Sequence, residues 1–156
     1  MIEIEIPGYR RLELEHLVLD YNGTLAEDGR LIAGVTEALA QLSKHLKIHV
    51  VTADTFGSVQ ASLRAIACQV AVLSSGNLSE GKLAYLKALD SRHSAAIGNG
   101  RNDRLMLKEA ALGIAVIQEE GACGETINAA HIVCTSIVSA LNLLTCPLRL
   151  VATLRD

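Results

Sequence analysis

Short apolar runs alternate along this chain with longer amphipathic stretches, and no other feature limits the fold as much. The runs are Leu17-Val18-Leu19, Ile48-His49-Val50-Val51, Val70-Ala71-Val72-Leu73, Ala95-Ala96-Ile97, Leu112-Gly113-Ile114-Ala115-Val116 and Ile132-Val133-Cys134. Between them Val35, Ala38, Leu39 and Leu42 recur at helical spacing, then Val59, Leu63 and Ile66, then Leu83, Leu86 and Leu89, then Leu105, Met106 and Ala110. A short helix is expected over 125–130 and a helical end over 137–144 and 148–155. Strand followed by helix, repeated, is the pattern of a parallel sheet with helices on both faces, so the sequence predicts a three-layer, doubly wound, mostly parallel α/β fold. Ahead of it Ile2, Ile4 and Ile6 alternate with Glu3 and Glu5, Pro7-Gly8 breaks the run, and Leu12 and Leu14 resume it. This reads as an N-terminal β-hairpin leading into the first buried strand.

At 156 residues the chain is expected to form one domain over 1–156. With three Tyr, one Phe and no Trp, its core must be aliphatic. A net charge of −3 argues against a nucleic-acid partner, and so few aromatics offer little to stack a base on. No stretch is long and apolar enough for a membrane span, and the N-terminus lacks the pattern of a signal peptide. Cys68, Cys123, Cys134 and Cys146 form no CxxC pair, which fits free thiols in a reducing cytoplasm. The five histidines show no metal-binding spacing and read as structural or solvated.

Parallel sheets of this type bind ligands at the carboxyl ends of their strands, so the residues just after each apolar run carry the functional reading. Asp20 follows Leu17-Val18-Leu19, where a carboxylate is costly unless paired or used. Gly23 permits a sharp turn just beyond. Thr52 puts a hydroxyl at the end of the second run. Lys82 is expected in the first turn of a helix beginning near Ser79, a position where the helix dipole favours anions. Gly98-Asn99-Gly100-Arg101-Asn102-Asp103 follows the fourth run. The dinucleotide fingerprint is excluded there, since its third glycine is missing.

Taken together and in order, these segments resemble the haloacid dehalogenase (HAD) superfamily. Asp20-Tyr21-Asn22-Gly23-Thr24-Leu25 is similar to its first motif, Thr52 to the second, Lys82 to the third and Gly98–Asp103 to the fourth. The first and last also resemble the phosphorylation domain of P-type ATPases, and small soluble proteins related to it. The resemblance implies a Mg²⁺-dependent phosphohydrolase in which Asp20 is the nucleophile and forms an aspartyl-phosphate. It implies that Gly23, Thr52, Ala53, Lys82 and Asn102 hold the substrate phosphate. It further implies that Asp20, the Asn22 carbonyl, Asn99 and Asp103 hold the metal, and that the first and fourth strands lie side by side.

Two positions depart from the family pattern. Asn22 stands where phosphatases carry an acid/base Asp, and an amide cannot shuttle a proton. Asn99 stands where a second Asp would bind Mg²⁺; its carboxamide oxygen can coordinate, but a charge is lost. The nearby Asp54 is expected to cap a helix rather than replace the missing acid. A non-catalytic or very slow phosphate- or nucleotide-binding module is therefore the competing expectation. The stretches from Leu25 to Thr52 and from Ala53 to Lys82 leave no room for a cap domain. An open site acting on a small phosphorylated substrate is expected; the resemblance implies that such a site is covered by a macromolecular substrate or by a neighbouring copy of the chain, with the stretch Ala26–Ile32 as the candidate contact. The apolar tail Leu141–Leu154 reads as closing a sheet edge.

Overall fold

The computed structural model describes residues 1–54, 57–74 and 76–156. Strands β1 (Ile2–Ile6) and β2 (Arg10–Leu14) pair antiparallel across the Pro7-Gly8 turn, with Ile4 opposite Leu12. Alternation does what the sequence pattern requires: Ile4, Ile6, Leu12 and Leu14 are buried, and the charged residues between them point outward. After this hairpin come β3 (His16–Asp20), a small hairpin of β4 (Ala26–Glu27) and β5 (Arg30–Leu31), α1 (Val35–Leu42) and β6 (Lys47–Thr52). Then follow α2 (Ser58–Ser62), β7 (Cys68–Val72), α3 (Leu78–Leu89), β8 (Ser94–Gly98), α4 (Arg104–Glu109), β9 (Leu112–Val116), α5 (Gly124–Ala129), β10 (Ile132–Cys134), α6 (Ile137–Thr145) and α7 (Pro147–Leu154).

The main sheet has six parallel strands in the order β10-β9-β8-β3-β6-β7. All five residues of β3 are buried, as a central strand covered on both faces must be. Leu17 and Leu19 point into a core shared with α1, α6, α7 and the N-terminal hairpin. Val18 points into a smaller core with Leu86 of α3 and Met106 and Leu107 of α4. From β3 the chain moves outward through β6 and β7, then returns to the other side of β3 for β8 to β10. The winding reverses between β3 and β8, which brings the ends of the first and fourth main strands together, as the family resemblance implies.

Between β3 and β6 lie only the β4–β5 hairpin and α1; no inserted domain occurs there among the described residues. The hairpin turns at Asp28 and Gly29, both at positive φ (48° and 77°), the geometry a tight two-residue hairpin demands. Helix α2 is shorter than the spacing of Val59, Leu63 and Ile66 predicts. Leu63 and Ile66 are buried just beyond its end, in turns closed by Leu63 N–H to the Val59 carbonyl and Ile66 N–H to the Leu63 carbonyl. Apolar spacing reports which residues are buried, and turns can bury them as well as a helix. The C-terminal segment covers a face rather than an edge. Helix α6 packs on α1, and α7, bent 100° from α6, lies against β1. No single helix among the described residues is long and apolar enough to cross a membrane. One close contact fixes α4 on the sheet: a Cβ at Gly113 in β9 would sit 2.0 Å from the Leu107 carbonyl oxygen.

Two of the histidines form a buried chain. His16 Nδ1 lies 3.0 Å from His49 Nε2, and His49 Nδ1 lies 3.0 Å from the Tyr85 hydroxyl on α3. Burial, helped by the charges of His16 and Lys47, pushes His49 down to about 4, so its imidazole is neutral in the folded protein near pH 7. The unfolded chain takes up this proton near the usual value of about 6.5, and the folded chain does so only near 4. Stability is therefore complete above that unfolded value and is lost as pH falls toward 4. With solvent screening allowed for, His49 should account for about 2 kcal/mol between pH 7 and pH 4.5. Urea unfolding at the two pH values should show this loss in the wild type and a smaller one in His49→Gln.

Candidate active site

The ends of β3, β6 and β8 meet the start of α3 around one buried cation. Lys82 lies in the second turn of α3, one turn deeper than the sequence suggests, and is 2% exposed. Its Nζ donates to Asp20 Oδ1 at 2.6 Å, to Asp103 Oδ1 at 2.6 Å and to Asn102 Oδ1 at 3.1 Å. Three acceptors use all three of its protons. Burial alone would lower the Lys82 pKa, but the Asp20 and Asp103 carboxylates outweigh it and push the value up, so the ammonium is held charged. The dipole argument that singled out Lys82 thus has its answer in two carboxylates.

Asp103 is fully buried. Besides Lys82 it accepts the N–H groups of Asn99 (3.0 Å) and Gly100 (2.9 Å) on Oδ2, which shapes the turn after β8. A Cβ at Gly98 would fall 2.5 Å from the Asp103 carboxyl carbon, so this turn closes only over glycine. Burial first, then the Asp20 charge, push Asp103 up to about 7, while Lys82 and the Gly100 N–H pull the other way. The sequence pattern offers Asp103 as a carboxylate for a metal. In the structure its oxygens serve Lys82 and the backbone, and it does not reach the cavity wall.

That cavity, of about 270 Å³, is lined by Asp20, Asn22, Thr52, Ala53, Lys82, Asn99, Gly100, Asn102 and Glu120. Asp20 turns Oδ1 to Lys82, and its Oδ2 lies 3.2 Å from the Thr24 hydroxyl. The same hydroxyl lies 3.2 Å from Asn99 Oδ1, and its one proton can serve only one of the two oxygens at a time. Gly23 (φ 76°) is pressed against Asn99; a Cβ there would lie 2.3 Å from Nδ2. Thr52 Oγ1 accepts the Asp54 N–H at 3.1 Å, which leaves its proton to donate. Asn102 accepts Lys82 through its oxygen, which leaves its NH₂ as a donor. The Asp54 carboxylate accepts from the Ser58 hydroxyl and, at 3.3 Å, from the Val59 N–H in the first turn of α2, but the N-cap itself is Gly57 rather than the Asp54 expected from the sequence. Asp20, Asn22 and Asn99 bring carboxylate and amide oxygens to the cavity lining, donors that suit a hard cation such as Mg²⁺. Thr52 and Asn102 offer proton donors to the same cavity, and Lys82 adds its positive charge, which suits an anion.

Three residues at this site have no place in the sequence reading. Gln118 donates through Nε2 to the carbonyls of Gly23 (3.1 Å) and Thr24 (2.9 Å) and accepts the Ile137 N–H on Oε1 (2.7 Å), tying the loop after β3 to the start of α6. Thr126 donates to the Gly100 carbonyl at 2.7 Å. Glu120 stands on the cavity wall. Gln118 and Glu120 follow the apolar run 112–116, so the rule that singles out Asp20 and Thr52 applies to them too.

The fold, with these residues gathered at the mouths of neighbouring strands, is that of HAD-class phosphatases. It is similar to 3-deoxy-D-manno-octulosonate (KDO) 8-phosphate phosphatase of Moraxella catarrhalis, crystallised with magnesium, phosphate and KDO (TM-score 0.71, 15% identity, 91% of this chain and 94% of that one). It is also similar to a zinc-transporting P-type ATPase (TM-score 0.63, 22% identity), over 79% of this chain but 20% of that one. No protein-family model matches the chain. It belongs to one family with an uncharacterised protein of Methanocaldococcus jannaschii, to which it is 48% identical over 82 residues, 48% of this chain and 88% of that protein.

Removing Lys82 would leave two carboxylates facing each other without a counter-charge. Lys82→Met should therefore lower stability by about 3–5 kcal/mol, read as a fall in the urea midpoint at pH 7 without added metal.

Proposed function

We propose that this protein is a Mg²⁺-dependent phosphohydrolase that works through an aspartyl-phosphate on Asp20 and acts on small phosphorylated substrates. One observation carries the reading: Asp20 sits at a strand mouth with one oxygen on the buried Lys82 and the other beside the Thr24 hydroxyl, and it lines a cavity together with Asn22, Asn99, Thr52 and Asn102. The similarity in fold to phosphatases supports it. Lys82 orients the Asp20 carboxylate and compensates its charge. The Thr52 hydroxyl, the Asn102 NH₂ and the backbone at Gly23 and Ala53 would hold the phosphoryl oxygens. Asp20 would form a bond to phosphorus while the bond to the leaving oxygen breaks, and water would then displace Asp20 and release phosphate. Mg²⁺ bound to Asp20, the Asn22 carbonyl and Asn99 Oδ1 would supply charge neutralisation at the phosphoryl group. Asp103 would act through Lys82 and the 99–100 turn.

Asn22 cannot protonate the leaving oxygen, so the enzyme should favour good leaving groups and release phosphate slowly. The same residue favours a second reading, a phosphate-binding module that no longer turns over. An aryl phosphate assay decides between them. Wild type should hydrolyse it with Mg²⁺ and not with EDTA, and Asp20→Asn should be inactive; equal rates for the two proteins would leave only the binding module. Asn22→Asp should raise turnover of a phosphate ester with a poor leaving group by about 10²-fold.

A further inference from the structure

Glu120 is the second carboxylate on the wall of the cavity, after Asp20. Its loop is pinned on two sides. Gln118 binds the carbonyls of Gly23 and Thr24, next to Asn22, and the Gly121 carbonyl accepts Asn99 Nδ2 at 3.0 Å. Between these anchors the chain makes a tight turn, with the Gly121 N–H on the Gln118 carbonyl at 2.8 Å and Gly121 at φ 72°. The Cys123 N–H bonds the Asn99 carbonyl at 2.9 Å and holds the far end of the same loop. Glu120 is therefore held on the cavity lining by a loop bonded on one side to the loop bearing Asn22 and on the other to the side chain of Asn99.

Charge gives the position a purpose. Lys82 balances the buried pair Asp20 and Asp103, and burial disfavours charge on Asp103. Asp103 is withdrawn from the wall, and Asn22 and Asn99 are neutral. A divalent cation entering beside Asp20 would meet one carboxylate and several neutral oxygens, a weak set for a hard ion whose affinity follows ligand charge. Glu120 adds a carboxylate to that lining.

We infer that Glu120 supplies the second carboxylate of the divalent-cation site, directly or through a bound water, in place of the charge absent at Asn99. This rests on the metal-dependent reading above and names a residue from a different loop for that site. Because Glu120 is exposed and its carboxylate is not part of the buried cluster, Glu120→Gln should fold normally.

The test is binding of Mn²⁺ as the probe, followed by the electron spin resonance of the free ion, to the wild type, Glu120→Gln, Glu119→Gln and Asp20→Asn. Glu120→Gln should bind at least about tenfold more weakly. Glu119→Gln changes the same charge one residue away and should stay close to wild type. An affinity of Glu120→Gln equal to wild type overturns the inference, and does so equally if its turnover falls, since Glu120 would then serve another step. A similar loss in Glu119→Gln also overturns it, because the effect would be one of general charge. Loss of binding in Asp20→Asn with no loss in Glu120→Gln leaves the metal site standing without Glu120. A wild type that binds no Mn²⁺ at millimolar concentration removes both the inference and the metal-dependent reading.

Discussion

The site depends on one buried ammonium. Lys82 reaches from α3 into the end of the sheet and meets Asp20 of β3, Asp103 of the turn after β8, and Asn102. Each partner comes from a different part of the chain, so this contact locks α3, the β3 loop and the β8 turn into one arrangement. Desolvating three charges is expensive, and their mutual attraction offsets the cost only when the geometry is close. Distances of 2.6 Å on both carboxylates meet that condition. Asp103 has little other work: its remaining oxygen takes two backbone N–H groups, which converts the position of Lys82 into the shape of the 99–100 turn.

Around this core the loops are tied by amides and hydroxyls rather than by further ion pairs. Thr24 links Asp20 to Asn99, Gln118 links the β3 loop to α6, and Thr126 holds the Gly100 carbonyl. Neutral ties keep the geometry fixed without adding charge near the nucleophile candidate. They also mean that Asn22 and Asn99 leave the cavity poorer in negative charge than a pair of aspartates would, and Glu120 is the wall residue able to restore it.

Much of the fold was legible because short buried runs and helical spacing are local patterns. The order of strands and helices follows from them, Asp20, Thr52 and Asn99 could be singled out by their positions after those runs, and Lys82 by its place near the start of a helix. Local patterns failed where burial and backbone shape part company. Leu63 and Ile66 are buried in turns outside α2, and the tail that reads as an edge strip folds back on α1 and β1. The His16–His49–Tyr85 chain was invisible for a related reason: two parallel strands and a helix bring those rings together from distant parts of the sequence.

What the sequence by itself determined is the doubly wound layout and the kinds of group at the strand mouths, because periodicity and residue chemistry are properties of neighbours in the chain. Which groups share a proton or a charge was decided only in three dimensions. Asp103 reads in sequence as a cavity carboxylate, but Lys82 and two backbone N–H groups engage it off the wall. Glu120 stands in an ordinary acidic turn until Gln118 and Gly121 anchor that turn beside Asn22 and Asn99. Both outcomes follow from the low dielectric of the interior, which forces each buried charge to find its partners wherever the folded chain supplies them.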